Sequence, residues 1–236
     1  MQLLSTPSDS GWPLDPVLRR AGAVFGMNGG SLVPLNYGSA AGELAACVHG
    51  VGLADHSYAT KLVLRAPPAQ LNDLIVFLAG RTITAGQAAH AHSAWWCRSA
   101  PDRAVILCEP RVGDRLRESL RSQRLRRFAL TVEDRSDDWA AIELIGRDTP
   151  RILTELGAYD GPAATRLGPS FTAGTVDGVT VNWLLESEHD ALAVVDRAGA
   201  LIVWQAIERV GRTFGLTYVG QEASARYRLL EGGGRH

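Results

Sequence analysis

Two stretches carry the fold: TKLVLRAPPAQLNDLIVFLAG (Thr60–Gly80) and, about 80 residues later, AAIELIGRDTPRILTELG (Ala140–Gly157). Each opens as a short apolar strand, passes a proline, and continues as a helix with one apolar face. In the first copy that face carries Leu71, Leu74, Ile75 and Leu78; in the second it carries Ile152, Leu153 and Leu156. A Gly-containing turn is expected after each helix, TAGQ from Thr84 and TAGT from Thr172. Strand material then follows, AHSAWW and RAVILCE in one copy, VTVNWLL and ALAVVD in the other. A further helix closes each copy, near Arg111–Ser122 and near Ala198–Val210. The pattern is a duplicated β-α-β-β-α unit, which predicts an α+β protein with two related halves and a ligand pocket between them.

Outward from these copies, a helix is expected from Ser39 as N-cap to Gly50 as its stop. Its predicted buried stripe is Leu44, Cys47, Val48 and Val51, with Glu43 placed to favour the helix dipole. Residues 1–15, rich in Ser, Pro and Gly, read as a loose arm. Residues 16–135 then form the first half and 136–233 the second.

Composition narrows the function classes. The 236 residues carry a formal net charge of −1, so a polyanion-binding role and nucleic acid as a partner are not expected. No apolar run reaches the ~20 residues of a membrane span, and no secretory signal is visible, which points to a cytoplasmic protein without a membrane partner. Cys47, Cys97 and Cys108 are odd in number and embedded in apolar patterns, so buried free thiols are expected rather than a disulfide framework or zinc site. His90 and His92 would share a strand face, but nothing nearby completes a ligand set, so no metal is expected. Trp95 and Trp96 read as core and pocket wall. Arg115, Arg117, Arg121, Arg124, Arg126 and Arg127 suit either a solvated helix face or a dock for an anionic group.

The segment from Leu18 to Ser57, with Gly22-Ala23, Pro34, Tyr37, Glu43, Val51-Gly52-Leu53, Asp55 and Ser57, resembles the opening of the glycine-cleavage T-protein superfamily. These are folate-binding aminomethyltransferases. IELIGRDTPRILTEL, LLESEHDALAVVD, ALIVWQAI and GLTYVGQEASARYRLLEGG are similar to later parts of the same fold, so the resemblance runs from Pro13 to Gly233. It implies a T-protein-like folate-binding fold and one-carbon transfer from a small amine to tetrahydrofolate. The alternatives are folate-independent reuse of the pocket at an amine, for example intramolecular C–N bond formation in specialised metabolism, or a non-catalytic subunit.

The resemblance assigns Glu188 to pterin recognition and places Arg228 and Tyr37 near the pocket. A carboxylate suits an aminopyrimidine edge, because it accepts two parallel N–H bonds, while Glu186, Glu188 and Asp190 together equally suit a solvated acidic hairpin turn. The turn holding Asp55 and His56 borders the family's folate site, so both are candidate catalytic residues. Asp55 equally suits a structural role, accepting backbone N–H bonds within its own turn. Departures are also present. Full T-proteins carry a further C-terminal barrel, and the sequence ends before one. CRSAPD (Cys97–Asp102) stands where the aminomethyltransferases have a Gly-Gly…Asp-Asp turn, and Ala223-Ser224-Ala225 replaces an Ala-Arg-Asp. YVGQE is similar to a motif of the iron–sulfur relatives, but Thr217 occupies the cysteine's place, so that branch is set aside. A partner subunit or a homo-oligomer is expected to cover the face the barrel would occupy.

Overall fold

The computed structural model describes residues 12–126, 129–158 and 168–233. Its elements in chain order are α1 (Asp15–Arg20), β1 (Val24–Asn28), β2 (Ser31–Asn36), α2 (Ala40–His49), β3 (Gly52–Asp55), β4 (Thr60–Arg65), α3 (Pro68–Ala79), β5 (Ala88–Ala91), β6 (Ala94–Ala100) and β7 (Arg103–Cys108). They continue as α4 (Pro110–Arg126), β8 (Thr131–Asp134), β9 (Trp139–Ile145), α5 (Thr149–Glu155), β10 (Ser170–Val176), β11 (Val179–Ser187), β12 (Asp190–Asp196), α6 (Ala200–Gly211), β13 (Thr217–Tyr218) and α7 (Gln221–Gly233).

The duplication is present as two sheets of matching order. One runs β5-β6-β7-β4-β8 and the other β10-β11-β12-β9-β3-β13, so the two strands that begin the repeated stretches, β4 and β9, hold equivalent places. The halves are nevertheless not consecutive blocks of chain. β3 precedes β4 in sequence but pairs with β9, and β8 precedes β9 but pairs with β4. Each sheet therefore contains one strand delivered by the chain leading into the other. Residues 16–135 accordingly supply a strand to the sheet built mainly from 136–233.

Apolar side chains on alternating sides of the strands produce four layers. The sheets face one another through Val63, Val105 and Leu107 on one side and Ala141, Leu184 and Leu192 on the other. The outer face of the five-stranded sheet is covered by Leu71, Leu74 and Ile75 of α3 and Leu120 of α4. The outer face of the six-stranded sheet is covered by Leu18, Ile152, Val203, Trp204 and Ile207. α7 packs against α2 at one end, around Cys47, Ala54, Ile145, Val219 and Tyr227.

α2 occupies Ala40–His49, with the Gly42 N–H donating to Ser39 Oγ at 3.1 Å, as the cap pattern predicts. Its buried face differs from the expected stripe. Val48 is exposed, whereas Glu43 is buried and accepts the N–H groups of Tyr37 at 2.6 Å and Gly220 at 2.8 Å. Glu43 thus ties β2 and the start of α7 to α2, because two orphan backbone donors outweigh solvation of its carboxylate. The expected turn at Thr172–Thr175 lies inside β10, where Thr172 to Thr175 pair in register with Trp183 to Thr180 of β11. Leu14 and Asp15, read as part of the loose arm, are buried; residues 1–11 lie outside the described residues. All three cysteines are buried and free.

Candidate functional site

Two short crossings link the sheets, and they are near copies. Asp55-His56-Ser57 carries β3 into β4, and Asp134-Arg135-Ser136 carries β8 into β9. In each, the Ser N–H donates to the Asp Oδ1 two residues earlier, at 2.9 Å. Each serine hydroxyl then accepts a backbone N–H from the opposite crossing's strand: Ala141 to Ser57 at 3.2 Å, and Lys61 to Ser136 at 3.0 Å. The middle residues complete the exchange, with His56 N–H donating to Ala141 O and Arg135 N–H to Lys61 O, both at 2.8 Å.

This internal twin separates architecture from chemistry. Asp55 and Ser57 recur as Asp134 and Ser136, so their shared role is to hold the crossing. Asp55 is half-buried beside a small hollow of about 190 Å³ lined by Asp15, Tyr58 and Asp137. Burial pushes its carboxyl up from the ordinary range despite the Ser57 hydrogen bonds and the nearby Lys61 charge. Asp55 does not line the large cavity described next. His56 departs from its twin: Arg135 pairs with Glu133 and Asp138 at the surface, whereas His56 is buried and lines that cavity.

The cavity has a volume of about 770 Å³ and opens where β5, β6 and β7 meet β11, β12 and α7. Trp95, Leu107 and Leu192 supply apolar walls, and Cys108, its thiol pushed up to about 12 by burial, closes one side. Its polar side rests on Glu143, which stands on β9 among Trp139, Ala141 and Ile145, with no exposed surface. Both Glu143 oxygens are partnered. Arg228 Nη2 donates to Oε1, Ser224 Oγ donates to Oε2 at 2.6 Å, and His56 Nε2 lies 3.0 Å from Oε2. Ser224 and Arg228 are four residues apart on α7, hence on one helix face. Burial pushes the Glu143 carboxyl up, but Arg228 and His56 outweigh it and hold the group below the ordinary carboxylate range.

Arg228 also donates from Nε to Asp190 Oδ2 at 3.1 Å. Asp190 Oδ1 is buried and has no hydrogen-bond partner among the described residues. Burial, with the Glu143 charge, pushes the Asp190 carboxyl up to about 7 against the pull of Arg228. Glu186 lies opposite, where the β11–β12 pairing shifts register between Leu185 and Ser187. It receives a hydrogen bond from the Trp95 side chain, yet burial and the neighbouring Asp190 push its carboxyl well above the ordinary value. Around the mouth, Tyr58 OH donates to Glu109 at 3.4 Å, accepts from Gln221 Nε2 at 3.1 Å and lies 3.5 Å from His56 Nδ1.

Of the residues singled out from sequence, His56 and Arg228 meet at this cavity, both on Glu143. Glu188 does not join them. It is exposed in the β11–β12 turn outside the cavity, and Glu186 lines it instead, because the register shift there re-aims the side chain. Tyr37 packs edge-on to Tyr218, with ring centroids 5.7 Å apart, and lines neither hollow. His92 is not on a strand face with His90: it occupies the two-residue turn between β5 and β6. Trp96 is core and Trp95 is cavity wall. Asp102 is exposed and remote from the lining. Arg117 is held by Asp114 and Asp134, and Arg115 and Arg121 are exposed; the Arg124, Arg126 and Arg127 side chains lie outside the described residues. Among the described residues no cluster of three or more metal-ligating side chains occurs, and no helix is long and apolar enough to cross a membrane. Glu143, Glu186 and Asp190 were not singled out from sequence, although a lone acid within the otherwise apolar WAAIELI was a readable signal for the first.

This arrangement of two packed sheets with exchanged strands around a central cavity defines a T-protein-like fold. The chain superposes on the glycine cleavage system aminomethyltransferase T from Bartonella henselae with a TM-score of 0.73 and 16% identity, over 92% of this chain and 61% of that one. It thus spans about three fifths of that protein's length. It also superposes on a chain of heterotetrameric sarcosine oxidase from Corynebacterium sp. U-96, with a TM-score of 0.59 and 19% identity, over 74% of this chain and 92% of that one. No family model and no curated protein matches the sequence.

Proposed function

We propose that this chain is a T-protein-like enzyme or enzyme subunit that acts on a small amine in the inter-sheet cavity, with one-carbon transfer to tetrahydrofolate as the reaction. The observation that carries the reading is the charge balance at the cavity. Two buried carboxyls, Glu143 and Asp190, and the half-buried Glu186 share a single guanidinium, Arg228, with His56 and His90 as the other bases of the lining. An enclosed surplus of carboxyls favours a cationic nitrogen. Arg228 and Ser224, with His56 beside them, hold Glu143 as a fixed anchor. Asp190 and Glu186 are left to accept N–H groups and to take up the proton that an ammonium must shed before its nitrogen can react.

The lining also fits a reduced folate. Asp190 Oδ1 is an orphaned acceptor, Glu186 is a second one, and Trp95 offers a flat wall. When bound there, tetrahydrofolate would supply ring nitrogens able to accept a one-carbon unit. The protein's own part is then positioning and electrostatics in a site shielded from water. The heterotetrameric assembly of the sarcosine oxidase supports a role alongside a partner subunit. The position of Glu188 outside the cavity and the exposed Asp102 favour a second reading, in which the same cavity serves a folate-independent reaction at an amine.

Calorimetric titration with the stable reduced folate 5-formyltetrahydrofolate tests the first reading. Saturable one-site binding that is lost in Asp190→Asn supports it. A folded protein that takes up no folate removes it and leaves the folate-independent reading.

A further inference from the structure

Arg228 has only so many donors to share, and it spends them unevenly. Nη2 goes to Glu143 and Nε to Asp190 Oδ2, which leaves Asp190 Oδ1 buried without a partner and Glu186 with only the Trp95 indole. Both open acceptors face the same cavity, and Asp190 is 6% exposed. A buried carboxylate oxygen left without a donor is unfavourable, and two neighbouring carboxylates in one cavity disfavour ionisation of both.

We propose that a cation bearing at least two N–H bonds, an ammonium or amidinium group, seats between Asp190 and Glu186 in exchange for a proton that the pair holds in the free protein. This inference rests on the reading of the cavity as an amine site, and specifies how the amine is recognised. The balance is simple: the pair gives up one proton to solvent, the ligand brings one positive charge, and its N–H groups fill the acceptors the proton had occupied. The burial-driven rise of the Asp190 carboxyl to about 7, and of Glu186 well above its ordinary value, agrees with a proton shared by the pair. The other charged or titratable groups around the pair are Glu143 from β9, Arg228, Tyr227 and Glu231 from α7, His56 from the crossing, His90 from β5, Cys108 from β7, and Glu109 just before α4. Glu143 is held ionised chiefly by Arg228, with His56 Nε2 3.0 Å from Oε2. His90 is held below its ordinary value by burial and by Arg228. The exchanged proton is therefore assigned to the Asp190–Glu186 pair.

The geometry selects by N–H count rather than by charge alone. A quaternary ammonium has the charge but cannot fill Asp190 Oδ1, so it leaves the orphan acceptor unpaired. Because one proton leaves for each cation bound, affinity falls by up to about tenfold for each pH unit below the pair's titration and levels off above it.

Calorimetry with benzylammonium, benzamidinium and benzyltrimethylammonium, at pH 7 in phosphate and in MOPS, tests this. The first two should bind with a buffer-dependent enthalpy that reports proton release, and the third should bind at least about tenfold more weakly, as expected when one charge-assisted hydrogen bond is missing. Glu186→Gln should retain the fold and bind benzamidinium at least about tenfold more weakly, since one of the two acceptors facing the cation loses its charge. Binding with no buffer dependence in the unaltered protein, equal binding of the quaternary ion, or no binding of either N–H cation would each overturn the inference. If 5-formyltetrahydrofolate fails to bind while these cations bind with proton release, the folate reading falls and this one stands. The opposite pattern removes this inference and keeps the folate.

Discussion

Lys61, the only lysine in the chain, has no exposed surface. Its Nζ donates to Ser57 O at 2.5 Å, Ala59 O at 2.8 Å and Ser136 O at 3.3 Å, so one ammonium clamps both crossings between the sheets. Burial pulls it from 10.5 down to about 8 despite the pull of Asp55, Asp137 and Asp134. At about 1.36 kcal/mol per pKa unit, that shift is a penalty of roughly 3 kcal/mol for keeping the group charged at pH 7. Lys61→Met removes the penalty but strands three carbonyls at about 1–3 kcal/mol each. The net expectation is a loss of about 3 kcal/mol, or roughly 6–12 °C in melting temperature for a chain of this size. The sign of the pH effect follows from the depressed folded value. Between pH 8 and 10.5 the unfolded chain binds the extra proton, so Lys61 adds stability as pH rises through that window and the addition is lost as pH falls through 8. The gap between the parent and Lys61→Met should therefore widen from pH 7 to pH 10 in urea denaturation. An amine-specific reagent should label the native chain at the N-terminal amine only and reach Lys61 only in denaturant. A stability loss below about 0.5 kcal/mol, a level typical of sites with no special role, or rapid native labelling of Lys61 would refute the clamp.

Three further outcomes are expected. Three two-residue hairpin turns hold both central residues at positive φ, Gly29-Gly30, His92-Ser93 and Asp177-Gly178, and of these three only His92-Ser93 lacks glycine. Replacing His92-Ser93 with Asn-Gly should raise stability by about 1–2 kcal/mol in thermal melts, because left-handed backbone favours those residues; unchanged stability would mean the turn is unstrained. Glu143→Gln leaves Arg228 and His56 short of a counter-charge and should cost about 3–5 kcal/mol in denaturant titrations, whereas a loss under 1 kcal/mol would mean the cluster contributes little. At Gly146, φ is +130° and a Cβ would lie 2.6 Å from Cys47 O, against backbone that cannot give way. Gly146→Ala should therefore lose about 3 kcal/mol or more or fail to accumulate as folded protein, and normal circular dichroism and melting would contradict the close packing of α2 on this corner.

What the sequence determined by itself was everything set by neighbours along the chain. The strand–proline–helix copies at Thr60 and Ala140, the Ser39 cap of α2, the burial of the three cysteines and the presence of Trp95 in a pocket wall all follow from local periodicity and capping. The resemblance added the overall T-protein-like fold and Arg228. Tertiary structure alone decided that β3 and β8 are exchanged between sheets, since strand pairing is chosen by long-range packing and leaves no local mark. That exchange makes Asp55 one of a matched pair of turn-holders and leaves His56, not Asp55, facing the cavity. The pairing of β12 with β9 and β11, and the packing of α7 at that end, bring Glu143, Glu186, Asp190 and Arg228 together from four separate elements. Glu188 and Glu186 show the limit most clearly. Both stand in the same ESEHD, and a single register shift in β11 turns one toward the cavity and the other toward solvent, because side chains alternate faces with a period of two and one extra residue reverses them.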